Sequence, residues 1–308
     1  VKLLFILIVI LCLVYSATSF AIESSYIWSD SSNFEQSLKT NAPINGQNSN
    51  LNSESNSNPN TNSNTLNLES GSAILIEQST GQILYEHNIH EKLRPASVTK
   101  IMSVLLVMEA LDSGKITLED KVPCSSNASS MGGSQIWLNE TEELTVNEML
   151  KAMCVVSAND CTVAMAEYIA GSQEAFVEKM NTKAKELGMK HTQFKNCTGL
   201  DDDIKSGHFS SAYDVGLMSR ELIMKHPGIS KYSTVWMDTI THKTKKGESQ
   251  FGLTNTNKLV RFYDGITGLK TGSTSKAKYC LSATAKRNGL NLIAVVMAAP
   301  DHKVRFSE

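Results

Sequence analysis

An α+β domain, with the strands near its two ends sharing one sheet, is the fold class that the sequence predicts. Three observations carry this reading. Strand-length apolar runs lie at both ends of residues 71–308, helical patterns fill the middle, and no internal repeat interrupts them.

Taken in order, Ser72–Glu77 and Gln82–Glu86 alternate like strands. Between them, Gln78-Ser79-Thr80-Gly81 reads as a turn with a glycine free to adopt positive φ. A helix is predicted from Ser97 to about Leu111. Val98, Ile101, Met102, Leu105 and Met108 form its apolar stripe, with Pro95 before it and Ser113-Gly114 after it as boundary signals. Further helical patterns cover 145–155, 160–170, 173–187 and 211–225. For the third of these, Ser172 is the predicted N-cap and Gly188 the residue that ends the helix. Tyr279–Lys286 and Leu290–Ala299 are apolar strand-length runs, split by the turn residues Arg287-Asn288-Gly289.

Residues 1–70 read differently. Leu3–Tyr15 is almost wholly apolar but shorter than the roughly 20 residues a spanning helix needs. Ser19 and Ala21 suit a signal-peptidase site, so residues 1–21 are expected to be a cleaved export signal. Residues 22–70 are expected to be a linker, because Asn41–Asn64 is dominated by Asn and Ser and has too little apolar surface to offset the entropy of ordering.

Composition excludes several function classes. Of the 308 residues, 41 % are hydrophobic and 19 % charged, which describes a globular chain. The formal net charge of −2 gives no general attraction to nucleic acid or anionic lipid, and no nucleic-acid partner is expected. Beyond Cys12 the five cysteines are irregularly spaced without Cys-x-x-Cys, so they read as small packing residues rather than a disulfide framework. The histidines show no metal-ligand spacing, and neither a metal nor an organic cofactor is expected.

Three motifs carry chemistry. Ser97-Val98-Thr99-Lys100 is S-x-x-K, Ser157-Ala158-Asn159 is S-x-N, and Lys270-Thr271-Gly272 is K-T-G. Each is weak alone: S-x-x-K recurs at Ser273 and Ser275, and S-x-N at Ser31 and Ser125. Their order and placement are what count. The first opens a predicted helix, the second separates two helices, and the third precedes a strand hairpin.

The residue types suit acyl transfer. A serine hydroxyl needs an adjacent base. Residues three apart share a helix face, so Lys100 can reach Ser97. Lysine is a base only when neutral, a state favoured by burial and by a second cation, for which Lys270 is the candidate. Ser157 is placed to relay a proton to the leaving amine. Asn159 offers an amide to a peptide backbone in the cleft, Gly272 permits close backbone approach, and Lys270 with Thr271 suits a terminal carboxylate. His208 and Asp214 read as a turn leading into a capped helix rather than as catalytic groups. Trp137 reads equally as a cleft-rim residue or a packed aromatic.

From about Ser72 to Arg305 the chain resembles the low-molecular-mass penicillin-binding D-alanyl-D-alanine carboxypeptidases, the S11 serine peptidases. Besides the motifs, the resemblance rests on Arg94-Pro95-Ala96-Ser97, Ser157-Ala158-Asn159-Asp160, Thr198-Gly199-Leu200, Gly207-His208, Asp264-Gly265, Met180-Asn181 and Glu186-Leu187-Gly188-Met189. It implies a β-lactamase/transpeptidase-like fold, an antiparallel sheet flanked by helices with an all-helical subregion, and makes 71–308 a D,D-peptidase catalytic domain. It implies removal of the terminal D-alanine from peptidoglycan stem peptides through an acyl-enzyme on Ser97, with Lys100 as base and Ser157 and Asn159 in the cleft. Lys270 and Thr271 would meet the substrate carboxylate, and the backbone N–H of Ser273 would be the second oxyanion donor. β-Lactams would act as covalent inhibitors, at the wall side of the membrane of a bacterium. Some members carry His where this chain has Ser273. Similar proteins continue with a closing helix and a smaller β-rich domain, so the chain is expected to be truncated after Glu308, which leaves membrane attachment open.

Two other readings are weaker. A class A β-lactamase needs a Glu-x-x-Leu-Asn loop after its second motif. Here the nearest string, Gln135-Ile136-Trp137-Leu138-Asn139, lacks the Glu and precedes Ser157, and Ala158 stands where that pattern has Asp. A non-catalytic wall-binding or penicillin-binding protein would not need Ser97, Lys100, Ser157 and Lys270 all intact.

Overall fold

The structure, a computed structural model, describes residues 66–245 and 247–308. The signal and most of the linker reading lie outside the described residues. Leu66–Ser70, assigned by sequence to the linker, belongs to the folded unit. Ser70 is buried, Leu68 packs against Ala73, Val296 and Ala299, and the Glu69 N–H and Ser70 hydroxyl bond the Glu308 carboxylate.

Five strands form one antiparallel sheet in the order β2-β1-β9-β8-β7. They are β1 (Ser72–Glu77), β2 (Ile83–His87), β7 (Ile266–Thr274), β8 (Lys278–Arg287) and β9 (Leu290–Ala299). The shared sheet of the first and last strands is thus as the sequence predicts. Its turns use the anticipated residues: Gly81 has φ 76°, and Asn288 and Gly289 have φ 50° and 79°, the left-handed pair a two-residue hairpin requires. Alternation sorts the two faces. Ile74 and Ile76 point to a helix, where Gly216 lets Ile76 approach closely, while Ala73 and Val296 face Leu68, Tyr85 and Val304.

Six helices concern the site: α1 (Lys100–Asp112), α2 (Val146–Val155), α3 (Asn159–Ala170), α4 (Gln173–Glu186), α5 (Ala212–Lys225) and the short α6 (Val304–Ser307). At α4 the caps are the ones the sequence names, Ser172 and Gly188. Ser172 accepts from Ala175 N–H and Ser211 from Asp214 N–H, and Gly188 follows α4 with φ 71°. Thr145 and Glu148 form a reciprocal capping box at α2.

Two features differ from expectation. Ser97 is not in the α-helix but in a 3-10 turn, Ala96–Thr99, that precedes α1. And α1 is buried nearly all round, Val104, Leu106 and Val107 included, because it runs between α5 on the sheet side and α2, α3 and α4 on the other. A central helix shows no stripe. The helical half also holds a small ribbon, β3 (Lys121–Pro123) with β4 (Glu143–Thr145). A longer hairpin, β5 (Met237–Thr244) with β6 (Gly247–Thr254), was not legible, because only Ile240, His242 and Leu253 of its 16 residues are buried.

The five cysteines from Cys124 onward are free and buried. Burial pushes the Cys154 and Cys197 thiols up to about 12, so they are protonated packing groups.

Candidate active site

Edge strand β7 lies against the 3-10 turn, and this contact brings the first and third motifs together. A Cβ on Gly272 would lie 2.8 Å from both Ser97 N and Val98 N and 2.9 Å from Pro95 O. The close approach foreseen for a substrate is therefore taken by the chain's own backbone, because the strand can reach the turn only where no side chain intervenes. Gly199, at φ 87°, pinches the turn from another side: a Cβ there would lie 1.8 Å from Ala96 O.

Ser97 is partly exposed and Lys100, one turn along, has no exposed surface. Lys100 Nζ lies 3.0 Å from Ser97 Oγ, 2.5 Å from Asn159 Oδ1 and 2.8 Å from Thr198 O. Asn159 and Thr198 offer only acceptors here. A neutral amine gives each of them one N–H and keeps its lone pair for the serine hydroxyl. Burial, and next the Lys270 charge, hold Lys100 well below the ordinary lysine range. Lys270 is itself buried, donates to Thr271 O at 2.9 Å, and is lowered to about 7 chiefly by burial.

The second motif closes the site from the helical side. Ser157 holds φ 66° between α2 and α3, a conformation that costs an L-residue about 1–2 kcal/mol. Its hydroxyl is buried and has no partner among the described residues. Asn159 is buried, with its amide engaged by Lys100 and, at 2.7 Å, by Gly132 O. Its oxygen thereby holds the lysine amine, and one N–H fastens the 131–139 loop. Thr271 donates to Thr256 Oγ1 at 2.7 Å, and Ser273 is exposed at the strand's outer end.

Several residues were given no role by the sequence reading. Thr198 contributes its carbonyl, which no side-chain motif reveals, and Asn196 Oδ1 holds its loop by accepting from Gly199 N–H at 2.7 Å. Asp160 has no exposed surface and accepts from Ile136 and Leu138 N–H, both at 3.1 Å. Its place in the first turn of α3 was the available signal. Arg305 in α6 donates to Gly272 O at 3.1 Å and so braces β7 from behind.

His208 is also more than a turn residue. It is buried, its Nδ1 accepts from Lys195 N–H at 3.0 Å, and its Nε2 lies 3.1 Å from Thr99 Oγ1, inside the S-x-x-K turn. The first bond fixes the tautomer, so Nε2–H donates to Thr99. Burial, with the Arg94 charge adding, lowers its pKa to about 4. The unfolded chain would take up this proton near pH 6.5. Between those values the unfolded state binds more protons, so stability is fully present above pH 6.5 and is lost as pH falls through 4. Thermal unfolding should therefore show a melting temperature that falls over that range, with a shallower fall in His208→Gln; equal slopes would remove His208 from the acid response.

A family model described as D-alanyl-D-alanine carboxypeptidase, peptidase S11, matches residues 57–301. The chain is 54 % identical over 240 residues to the D-alanyl-D-alanine carboxypeptidase DacF of Bacillus subtilis, covering 78 % of this chain and 60 % of that protein. Against DacC of Escherichia coli the identity is 35 % over 250 residues, covering 79 % and 60 %. The chain thus spans about 60 % of the length of these relatives. Among solved structures, penicillin-binding protein 6B of Escherichia coli superposes with TM-score 0.70 at 36 % identity, covering 78 % of this chain and 74 % of that one. The ampicillin-bound penicillin-binding protein D2 of Listeria monocytogenes gives 0.68 at 31 % identity, covering 79 % and 95 %.

Proposed function

The chain belongs to the S11 family of D-alanyl-D-alanine carboxypeptidases, and from that premise we propose that residues 66–308 form a serine-type D,D-carboxypeptidase domain that releases the terminal D-alanine of peptidoglycan stem peptides. The observation that carries the reading is the buried lysine amine with two fixed acceptors and the Ser97 hydroxyl as its third neighbour.

In the proposed reaction, Ser97 Oγ attacks the carbonyl of the penultimate D-alanine while its proton passes to Lys100. The oxyanion accepts from the N–H groups of Ser97 and Ser273. Lys270, with Thr271, holds the terminal carboxylate, and that anion favours the charged form of the lysine. The C–N bond breaks as the leaving amine receives a proton through Ser157. Water then hydrolyses the ester, with Lys100 again taking the proton. Penicillin would acylate Ser97 in the same way, and the ester would persist where water attacks it slowly.

Action on the wall implies work outside the cytoplasmic membrane, in keeping with the export signal read at residues 1–21. No helix among the described residues is long and apolar enough to cross a membrane.

Labelled penicillin followed by a D-alanine assay tests the proposal. A carboxypeptidase retains the label and releases D-alanine from a pentapeptide. Rapid clearance of the label would indicate a β-lactamase, and no label would indicate a non-catalytic binder.

A further inference from the structure

Beside the loop that Asn159 and Asp160 fasten lies a second concavity, of about 340 Å³, between residues 136–139 and the β5–β6 hairpin. Trp137 stands at its edge with 67 % of its surface exposed and φ 65°, a rare conformation for so bulky a residue. The cause is visible in its neighbours. The Asp160 carboxylate takes the N–H groups of Ile136 and Leu138, the residues on either side, and both side chains are buried. The indole is thereby turned out over the groove rather than into the core.

The opposite wall is the face of the hairpin that carries His242, Thr244, Gly247, Ser249 and Phe251, residues brought together by the register His242↔Ser249 and Thr244↔Gly247. His242 is 6 % exposed, its Nδ1 lies 2.7 Å from the Glu142 carboxylate, and its Nε2 has no partner among the described residues. The Asn139 amide donates to Glu142 Oε2 at 3.2 Å and the Gln250 amide to Thr241 Oγ1 at 2.9 Å, and Glu248 is the one acidic residue of the lining.

A flat exposed indole facing the Thr244 and Ser249 hydroxyls forms a surface for a neutral ligand with one apolar face and many hydroxyl or acetamido groups. That is the chemistry of a pyranose, whose axial C–H groups stack on an aromatic ring.

We propose that the Trp137 groove is a glycan subsite that holds an N-acetylhexosamine unit of the strand to which the stem peptide is attached. This rests on the carboxypeptidase reading above. Two contacts on one substrate then act together, so a glycan-linked stem is retained better than the same peptide alone.

The test has two arms. In the first, Ser97→Ala protein is titrated with chitotetraose by NMR or calorimetry. Saturable binding that is lost in Ser97→Ala/Trp137→Ala supports the subsite whether or not the domain is a carboxypeptidase; no binding, or binding that Trp137→Ala leaves intact, overturns it. In the second, D-alanine release is compared for a free pentapeptide and a disaccharide-pentapeptide. Trp137→Ala should lower kcat/KM about fivefold for the sugar-bearing substrate, mainly through KM, and leave the free peptide unchanged. An equal fall for both would make Trp137 part of the peptide site or of the loop's stability and refute the glycan assignment. The exposed side chain makes misfolding a minor concern, and an unchanged melting temperature in the variant checks it.

Discussion

Ser97→Ala is expected to abolish covalent penicillin labelling and to reduce D-alanine release by on the order of 10⁴–10⁶. Ser97 Oγ is the hydroxyl beside the buried amine, at 3.0 Å, and it is partly open to solvent while Lys100 is not. The Ser157 hydroxyl is buried and fixed in a left-handed turn, so it cannot replace Ser97 without movement of the turn between α2 and α3. The variant should keep its fold, because the lost hydroxyl leaves Lys100 with two acceptors and opens only a small gap at a partly exposed position. Labelling at another residue in a folded Ser97→Ala protein would overturn the nucleophile assignment.

The second large effect concerns Lys100. Lys100→Met keeps most of the volume of a fully buried side chain but removes the base. Acylation by penicillin should slow by about 10²–10⁴. Lys100→Arg should be just as slow, because a guanidinium stays protonated in any ordinary buffer. This second variant separates a proton acceptor from a mere positive charge. If arginine restores acylation, Lys100 acts electrostatically. The pH dependence follows from the two lysines. Acylation rises with pH as Lys100 gives up its proton, since only the neutral amine accepts one. It falls again as Lys270 deprotonates, through about 7 in the empty site, and carboxylate binding weakens. A bound carboxylate stabilises the Lys270 charge, so the descending limb of kcat should lie at higher pH than that of kcat/KM. Because the two amines interact, the two limbs belong to the pair rather than to either residue.

Much of this arrangement was legible in the chain because it is written locally. The strand alternation of Ser72–Glu77, the turn at Asn288-Gly289 and the helix-end residues Ser172 and Gly188 depend on neighbours within a few residues. The pairing of Ser97 with Lys100 depends on helical spacing alone. What was not legible depends on tertiary placement. Thr198 acts through a backbone carbonyl, and every residue has one. Gly272 and Gly199 matter because distant backbone passes against them. His208 reaches Thr99 across more than one hundred residues. The β5–β6 hairpin is hidden because its exposed strands are too polar to show a buried face. Ser97 sits in a 3-10 turn rather than an α-helix, with Gly199 and Gly272 packed against its backbone, and no periodicity records such a contact. Asn159 read as a substrate contact because its residue type allows one, and its bonds to Lys100 and Gly132 depend on tertiary placement that spacing does not record.

The account turns on the charge of one amine. Lysine side-chain NMR on the uninhibited protein, with Lys100 and Lys270 assigned by single arginine substitutions, reads that charge directly from the ¹³Cε and ¹⁵Nζ shifts. Lys100 is predicted to give the signature of a neutral amine well below the ordinary lysine range, while Lys270 titrates near about 7. A Lys100 signal that remains that of an ammonium ion up to pH 9 would contradict the mechanism, whatever the distances around it.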